Sequence, residues 1–299
     1  MKRRTFIIDS SLVAFSVGVF GKISWNGLRF EGDTPTTTDI LGPYYRPGAP
    51  MRSNIIPPGS SGEVLHVGGI IYKKDGKTPL KNALIEVWQC NEKGIYDNTS
   101  DEYLCRGAVK VGDDGKYYFK SIMPIPYKVD ATRYRPAHIH MRVSGVDHQD
   151  LITQIYFKGD SHIPEDPSSS SPLSVHRILD ISKNNAKEKQ VKFDIVLSEE
   201  YKLDIAVFKK LEGVYQMNDK SMIEFFKKGD LLFVKINGQI EEALAYKGNN
   251  QFEGGMGYIK AKFELLASGD VKVQTIYLDD NNKEQIIEGT RLIKYPENS

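Results

Sequence analysis

The chain has 299 residues, and at roughly 150 residues per domain that length allows about two domains, each long enough to bury a core. Hydrophobic residues make up 40%, charged residues 26% and aromatic residues 10%, ordinary globular usage that excludes a disordered, collagen-like or polytopic membrane protein. Forty Lys plus Arg against 39 Asp plus Glu leave a formal charge of +1, too little for the basic footprint of non-specific nucleic-acid binding.

Residues 1–30 read as an export signal and spacer. Lys2, Arg3 and Arg4 precede an uncharged stretch, Ser10 to Gly21, that is too short for a stable transmembrane anchor. Arg3-Arg4-Thr5-Phe6 resembles the twin-arginine type of signal, which moves folded proteins to the periplasm. No Ala-x-Ala site follows, so contact with a membrane is expected only if the segment is retained as a tether.

Residues 31–200 are expected to form an antiparallel β-sandwich, because short β-branched and aromatic runs alternate with Gly, Pro, Asn and Asp. The predicted strands are Val64 to Tyr72, Ala83 to Gln89, Lys116 to Ser121, His138 to Ser144, Leu151 to Phe157 and Val191 to Leu197. Asp113-Asp114-Gly115 reads as a hairpin turn, and the IPEDPSSSSP stretch, residues 163–172, as a surface loop.

Residues 208–299 predict a second all-β unit, a small lipocalin-like meander or barrel. Its predicted strands are Met222 to Phe226, Leu231 to Ile236, Glu242 to Tyr246, Tyr258 to Leu265, Val271 to Leu278 and Glu284 to Ile293. Ile259, Ala261 and Phe263 alternate with Lys260, Lys262 and Glu264, the pattern of a sheet with one wet face. The unit contains neither histidine nor cysteine, so it reads as a structural or docking module, separable from any metal chemistry.

Two cysteines, Cys90 and Cys105, exclude a disulfide scaffold, a zinc ribbon and a thiolate cluster. A bridge between them and a pair of buried thiols are both open. Any metal must be held by His, Tyr or carboxylates. His138 and His140 stand at i and i+2, which on a strand projects both imidazoles from one face about 7 Å apart, within reach of one ion. The other four histidines, His66, His148, His162 and His176, have no such partner.

Around that pair the sequence resembles the intradiol ring-cleaving dioxygenases, non-haem iron(III) enzymes that include the protocatechuate 3,4- and catechol 1,2-dioxygenases. The matching blocks are Gly42-Pro43-Tyr44-Tyr45, Glu86-Val87-Trp88-Gln89 through Tyr96, Arg106-Gly107, Gly115 to Phe119, Pro126-Tyr127, Arg135 to His140, and Leu151 to Phe157. They lie in family order between residues 36 and 198.

The resemblance implies that Tyr96, Tyr127, His138 and His140 bind Fe(3+). Phenolate is a hard anionic donor suited to that ion, and a trivalent cation can hold tyrosine deprotonated below its free pKa of about 10. It also implies a catechol-type substrate opened with O2 between its hydroxyl-bearing carbons to a muconate-type diacid. Tyr127 is then the ligand that leaves when substrate chelates. Arg135 stabilises charge on the ring, and Gln154, Tyr44 and Tyr134 line the substrate pocket.

Three features depart from the family pattern. The N-terminal region is too short for the helical segment of the catechol type, which points toward the protocatechuate type or other single-sandwich members. Tyr134 stands where protocatechuate enzymes carry tryptophan, and the module after Leu211 lies outside the pattern. Catechol, protocatechuate, hydroxyquinol and larger aromatics therefore stay open as substrates, as does a homo-oligomeric state. The competing readings are an exported binding module and an inactive dioxygenase-fold scaffold.

Overall fold

The computed structural model describes residues 23–25, 30–32, 35–198, 205–278 and 283–293. The export segment falls almost wholly outside them. Within it only Ile23–Trp25 and Phe30 are described, Ile23–Trp25 pairing antiparallel with Phe30–Gly32. Among the described residues, no helix is long and apolar enough to cross a membrane.

Two sheets face each other across the first core. In the front sheet His138–Gly145 is central, pairing antiparallel with His148–Phe157 on one side and with Leu84–Trp88 on the other. Arg106–Lys110 extends the sheet beyond Leu84–Trp88, and Ile178–Leu179 adds a short parallel pairing at the opposite edge. The back sheet is built on Val64–Tyr72, antiparallel to Lys116–Ile122 and parallel to Lys189–Lys192 and Ile195–Val196.

Side chains of a strand alternate between its faces, and in the front sheet both faces are covered. Ile139, Met141 and Val143 enter the core between the sheets, with Ile85, Val87, Leu151, Ile155 and Phe157. His138, His140 and Arg142 project from the other face and are also buried. Something other than the back sheet must cover them, and that cover is the C-terminal barrel together with the flanking loops.

Eight consecutive antiparallel strands, Gly213–Met217 through Glu284–Ile293, close into a barrel when the last pairs with the first. Aromatic side chains gather inside it. Tyr215, Phe225, Phe252 and Phe263 pack with ring centroids 5.1–5.8 Å apart, and Phe208 from the short helix Ile205–Leu211 adds a fifth ring. Tyr215 Oη donates to Leu211 O at 2.6 Å, tying that helix to the first strand.

The barrel turns one outer face toward the sandwich. Leu231, Phe233, Ala243 and Ala245 pack with Leu41, Tyr45, Trp88, Tyr96 and Ile152 in one buried cluster. The phenol of Tyr45 lies 5.6 Å from the Phe233 ring. Polar ties accompany this contact: Gln239 Nε2 donates to Pro43 O at 2.6 Å, and the Asp150 N–H donates to Asp230 at 2.7 Å. A module expected to be separable thus shares its buried surface with Tyr96.

Two local expectations change. The Asp113-Asp114-Gly115 turn joins no hairpin: Arg106–Lys110 pairs with Leu84–Trp88 in the front sheet, while Lys116–Ile122 pairs with Val64–Tyr72 in the back one. The turn carries the chain between layers, and Gly115 is required there at φ +75, where a Cβ would lie 2.7 Å from Pro79. The IPEDPSSSSP loop is not confined to the surface, since Asp166, Ser168 and Ser169 are buried. Cys90 and Cys105 are both buried free thiols.

Candidate metal centre and active site

The strand register assembles the site in rows. Across three neighbouring strands Trp88 stands opposite His140, and His140 opposite Gln154, while Tyr156 faces His138. One row therefore carries an aromatic wall, a histidine and an amide. The Trp88 indole lies flat on the His140 imidazole, with centroids 5.0 Å apart and planes 8° from parallel. Gly42 closes the other side: at φ +74 it approaches so near that a Cβ would sit 3.2 Å from His140 Cε1.

His138 Nδ1 donates to Pro136 O at 2.6 Å, which fixes the tautomer and leaves the Nε2 lone pair facing the site. That Nε2 accepts from Tyr96 Oη at 3.1 Å and lies 3.2 Å from His140 Nε2. The Tyr127 ring stands 5.7 Å from Tyr96 and 5.6 Å from His138, centroid to centroid. Two imidazoles and two phenols from three separate stretches of chain thus converge on one buried point.

The electrostatics suit a cation. Burial, reinforced by the Arg135 guanidinium, holds both histidines well below the usual imidazole range, so they are neutral donors. Burial also pushes Tyr96 well above its ordinary value and Tyr127 to about 12. Neither phenol ionises at neutral pH without a strong positive charge beside it. Among the described residues no three His, Cys, Asp or Glu side chains converge to hold a metal. An ion at His138 and His140 must draw on the phenols, and such an N2O2 donor set, with hard oxygen ligands, fits iron(III).

Arg135 enters from the short pairing of Tyr127–Lys128 with Tyr134–Arg135. Its Nη2 donates to Gln154 Oε1 at 2.9 Å and Tyr156 Oη at 3.2 Å. Asp166 Oδ1 lies 2.9 Å from its Nε, out of line with the N–H, so this contact is an ion pair. Gln154 Nε2 in turn donates to Ile40 O at 2.8 Å. Tyr156 Oη donates to Asp39 at 2.8 Å, and Asp39 pairs with the buried Arg177.

The structure brings together Tyr96, Tyr127, His138, His140, Arg135 and Gln154. Tyr44 joins them by stacking on Tyr96, with centroids 4.2 Å apart. Tyr134 does not join: as the neighbour of Arg135 on a strand it points the opposite way, exposed and stacked on His162 at 4.7 Å. Sequence reasoning missed Gly42, Asp39, Asp166, Tyr156 and Arg177. Tyr156 was within reach, being two residues beyond Gln154 on a strand and so on the same face.

A family profile described as Dioxygenase matches residues 40–199. Chlorocatechol 1,2-dioxygenase of Rhodococcus opacus is 30% identical over 187 residues, covering 55% of this chain and 68% of that protein. Catechol 1,2-dioxygenase of Candida albicans is 33% identical over 208 residues, covering 62% and 66%. The crystal structure of catechol 1,2-dioxygenase from Pseudomonas arvilla C-1 aligns with a TM-score of 0.50 at 27% identity, over 56% of this chain and 63% of that one. Among the curated relatives matched first, the chain spans from 50% to 68% of their length. They include catechol 1,2-dioxygenases. Profile, relatives and front-sheet architecture agree, and the chain belongs to the intradiol ring-cleaving dioxygenase family.

Proposed function

We propose that this protein is an iron(III)-dependent intradiol dioxygenase that cleaves a catechol-type ring with O2 between its two hydroxyl-bearing carbons, giving a muconate-type diacid. The observation that carries the reading is the approach of Tyr96 Oη at 3.1 Å and His140 Nε2 at 3.2 Å to His138 Nε2, with the half-buried Tyr127 beside them.

His138, His140, Tyr96 and Tyr127 would hold the metal. A ferric ion held there would supply Lewis acidity toward a catechol substrate and its reaction with O2. The remaining steps fall to the chain. Tyr127 is the less buried of the two phenols, so its Oη is the group that gives way to substrate and takes up a proton released by a catechol hydroxyl. Tyr96, pinned between the Tyr44 ring and His138, stays in place. Arg135, oriented by Gln154, Tyr156 and Asp166, keeps a fixed positive charge beside the ring as negative charge accumulates. The Trp88 and Tyr44 rings exclude water. The Arg3-Arg4-Thr5-Phe6 motif supports export to the periplasm, tested by fractionating an Arg3→Lys, Arg4→Lys double variant, which stays cytoplasmic on this reading.

The test is to load the purified full chain with iron(III), record its visible spectrum and follow oxygen uptake with a panel of catechols. A tyrosinate-to-iron charge-transfer band and catechol-dependent uptake are expected. A colourless, iron-free protein that consumes no oxygen would falsify the assignment.

A further inference from the structure

We infer that Glu242, on the barrel strand Gln239–Gly248, is a positioning residue for the active centre, holding the segment 39–42 that sets Gln154 and His140. The catalytic arm of this inference rests on the function proposed above. Its structural arm does not.

Among the described residues, Glu242 is the most deeply buried acidic or basic residue of the barrel, 2% exposed. A carboxyl group taken out of water is costly unless its oxygens are used, and here one oxygen is used across the interface. Glu242 Oε1 accepts from the Leu41 N–H at 3.1 Å and from the Ala243 N–H at 2.9 Å. The first bond joins residues 201 positions apart, barrel to sandwich.

The surroundings leave the carboxyl group little freedom. Gly255, Met256 and Gly257 follow one another at φ +48, +59 and +84, wrapping a tight turn around it. A Cβ on Gly255 would lie 2.8 Å from Glu242 Oε2 and 3.3 Å from Ile40 Cγ2. Nearby, Met256 Sδ touches Arg177 Nη2 at 4.0 Å, and Tyr258 Oη reaches Pro167 O at 3.4 Å in the loop that carries Asp166. This edge of the barrel therefore bears on both segments that flank the site.

What Leu41 anchors is functional on every side. Ile40 O takes the Gln154 amide at 2.8 Å, and Asp39 takes the Tyr156 hydroxyl at 2.8 Å. Gly42 abuts His140. Release of Leu41 frees the acceptor that orients Gln154, and Gln154 Oε1 is one of the three groups that aim the Arg135 guanidinium. Burial pushes Glu242 to about 8, so at neutral pH it is the uncharged acid, for which glutamine is an isostere.

The experiment compares wild type, Glu242→Gln and Glu242→Met in the full chain by amide hydrogen exchange with mass spectrometry, alongside iron content and steady-state turnover of catechol. Methionine fills the volume without an acceptor and leaves the Leu41 N–H unpaired. It should raise exchange in peptides covering residues 39–45 about tenfold and lower kcat about tenfold, the order expected for one lost buried hydrogen bond. Iron content and exchange in barrel peptides 213–228 should hold. Glutamine should keep both quantities within about threefold of wild type, since it retains the acceptor. The inference is overturned if the methionine variant leaves residues 39–45 protected, if glutamine is as damaging as methionine, or if barrel peptides lose protection equally. Wild type inactive on every catechol would sink the proposed function, while the exchange data still decide the role of Glu242.

Discussion

Trp88 and His140 are paired twice over, as directly opposed residues on adjacent strands and as stacked rings 5.0 Å apart. A histidine that must present Nε2 inward has its ring plane set by the indole rather than by a hydrogen bond, for among the described residues its Nδ1 has no partner. Trp88 is 2% exposed and also meets Tyr45 edge-on at 5.0 Å. Trp88→Ala should cost about 3–5 kcal/mol, the range for deleting a buried aromatic side chain, and should lower iron retention. Denaturant unfolding and iron analysis check both.

The two tyrosines should differ. Tyr96→Phe, like His138→Ala and His140→Ala, removes a donor fixed by its neighbours, so iron content and activity should fall together. Tyr127→Phe removes the less buried phenol and should keep more iron while shifting the visible band and slowing turnover. Equal iron loss in both phenylalanine variants would mean that the two phenols do not play distinct parts.

Arg135→Ala touches none of the four donors. It should leave the resting spectrum close to wild type and lower kcat by about 10²-fold, comparable to losing an oxyanion donor. It also strands Asp166, which is 4% exposed and ion-paired to Arg135, so a drop in Tm should accompany the loss of rate.

Acidity should strengthen the join between barrel and sandwich. Burial, with Asp39 and Glu241 adding to it, raises Glu242 from 4.5 to about 8. Burial and the neighbouring Asp230 raise Asp150 above its ordinary value as well. Glu242 keeps a proton in the folded chain that the unfolded chain has already released, so its contribution is complete below about pH 4 and lost as pH climbs through about 8, with Asp150 acting in the same direction. Between pH 6 and 9 the Tm should fall. Glu242→Gln, which has no proton to lose, should flatten that slope.

Removing the barrel should not leave a working enzyme. A chain ending at residue 198 would expose Leu41, Tyr45 and Ile152, and would leave Arg142 and Asp150 without Lys228 and Asp230. Burying one such apolar side chain is worth about 1.5–3 kcal/mol. The truncated chain should aggregate or bind little iron, as gel filtration and iron analysis would show. A monodisperse truncation with full colour would restore the separable module expected from the sequence.

The sequence alone determined what depends on local period and local turns. His138 and His140 share a face because strands repeat every two residues. Leu231–Ile236, Val271–Leu278 and Glu284–Ile293 were legible from alternation and from turns such as Ser268-Gly269-Asp270. Arg106–Lys110, Gly213–Met217 and Gln251–Gly254 were missed as strands. The resemblance supplied Tyr96, Tyr127 and Arg135, whose stretches of chain have no periodic signal of their own. Only tertiary structure decided the rest. Register placed Trp88, His140 and Gln154 in one row, folding drew Asp166 inward from a loop of polar composition, and barrel closure set Glu242 against Leu41. A buried acid becomes tolerable only when a distant N–H arrives to use it. Nothing in the residues around Glu242 encodes that arrival, because the partner lies 201 positions away.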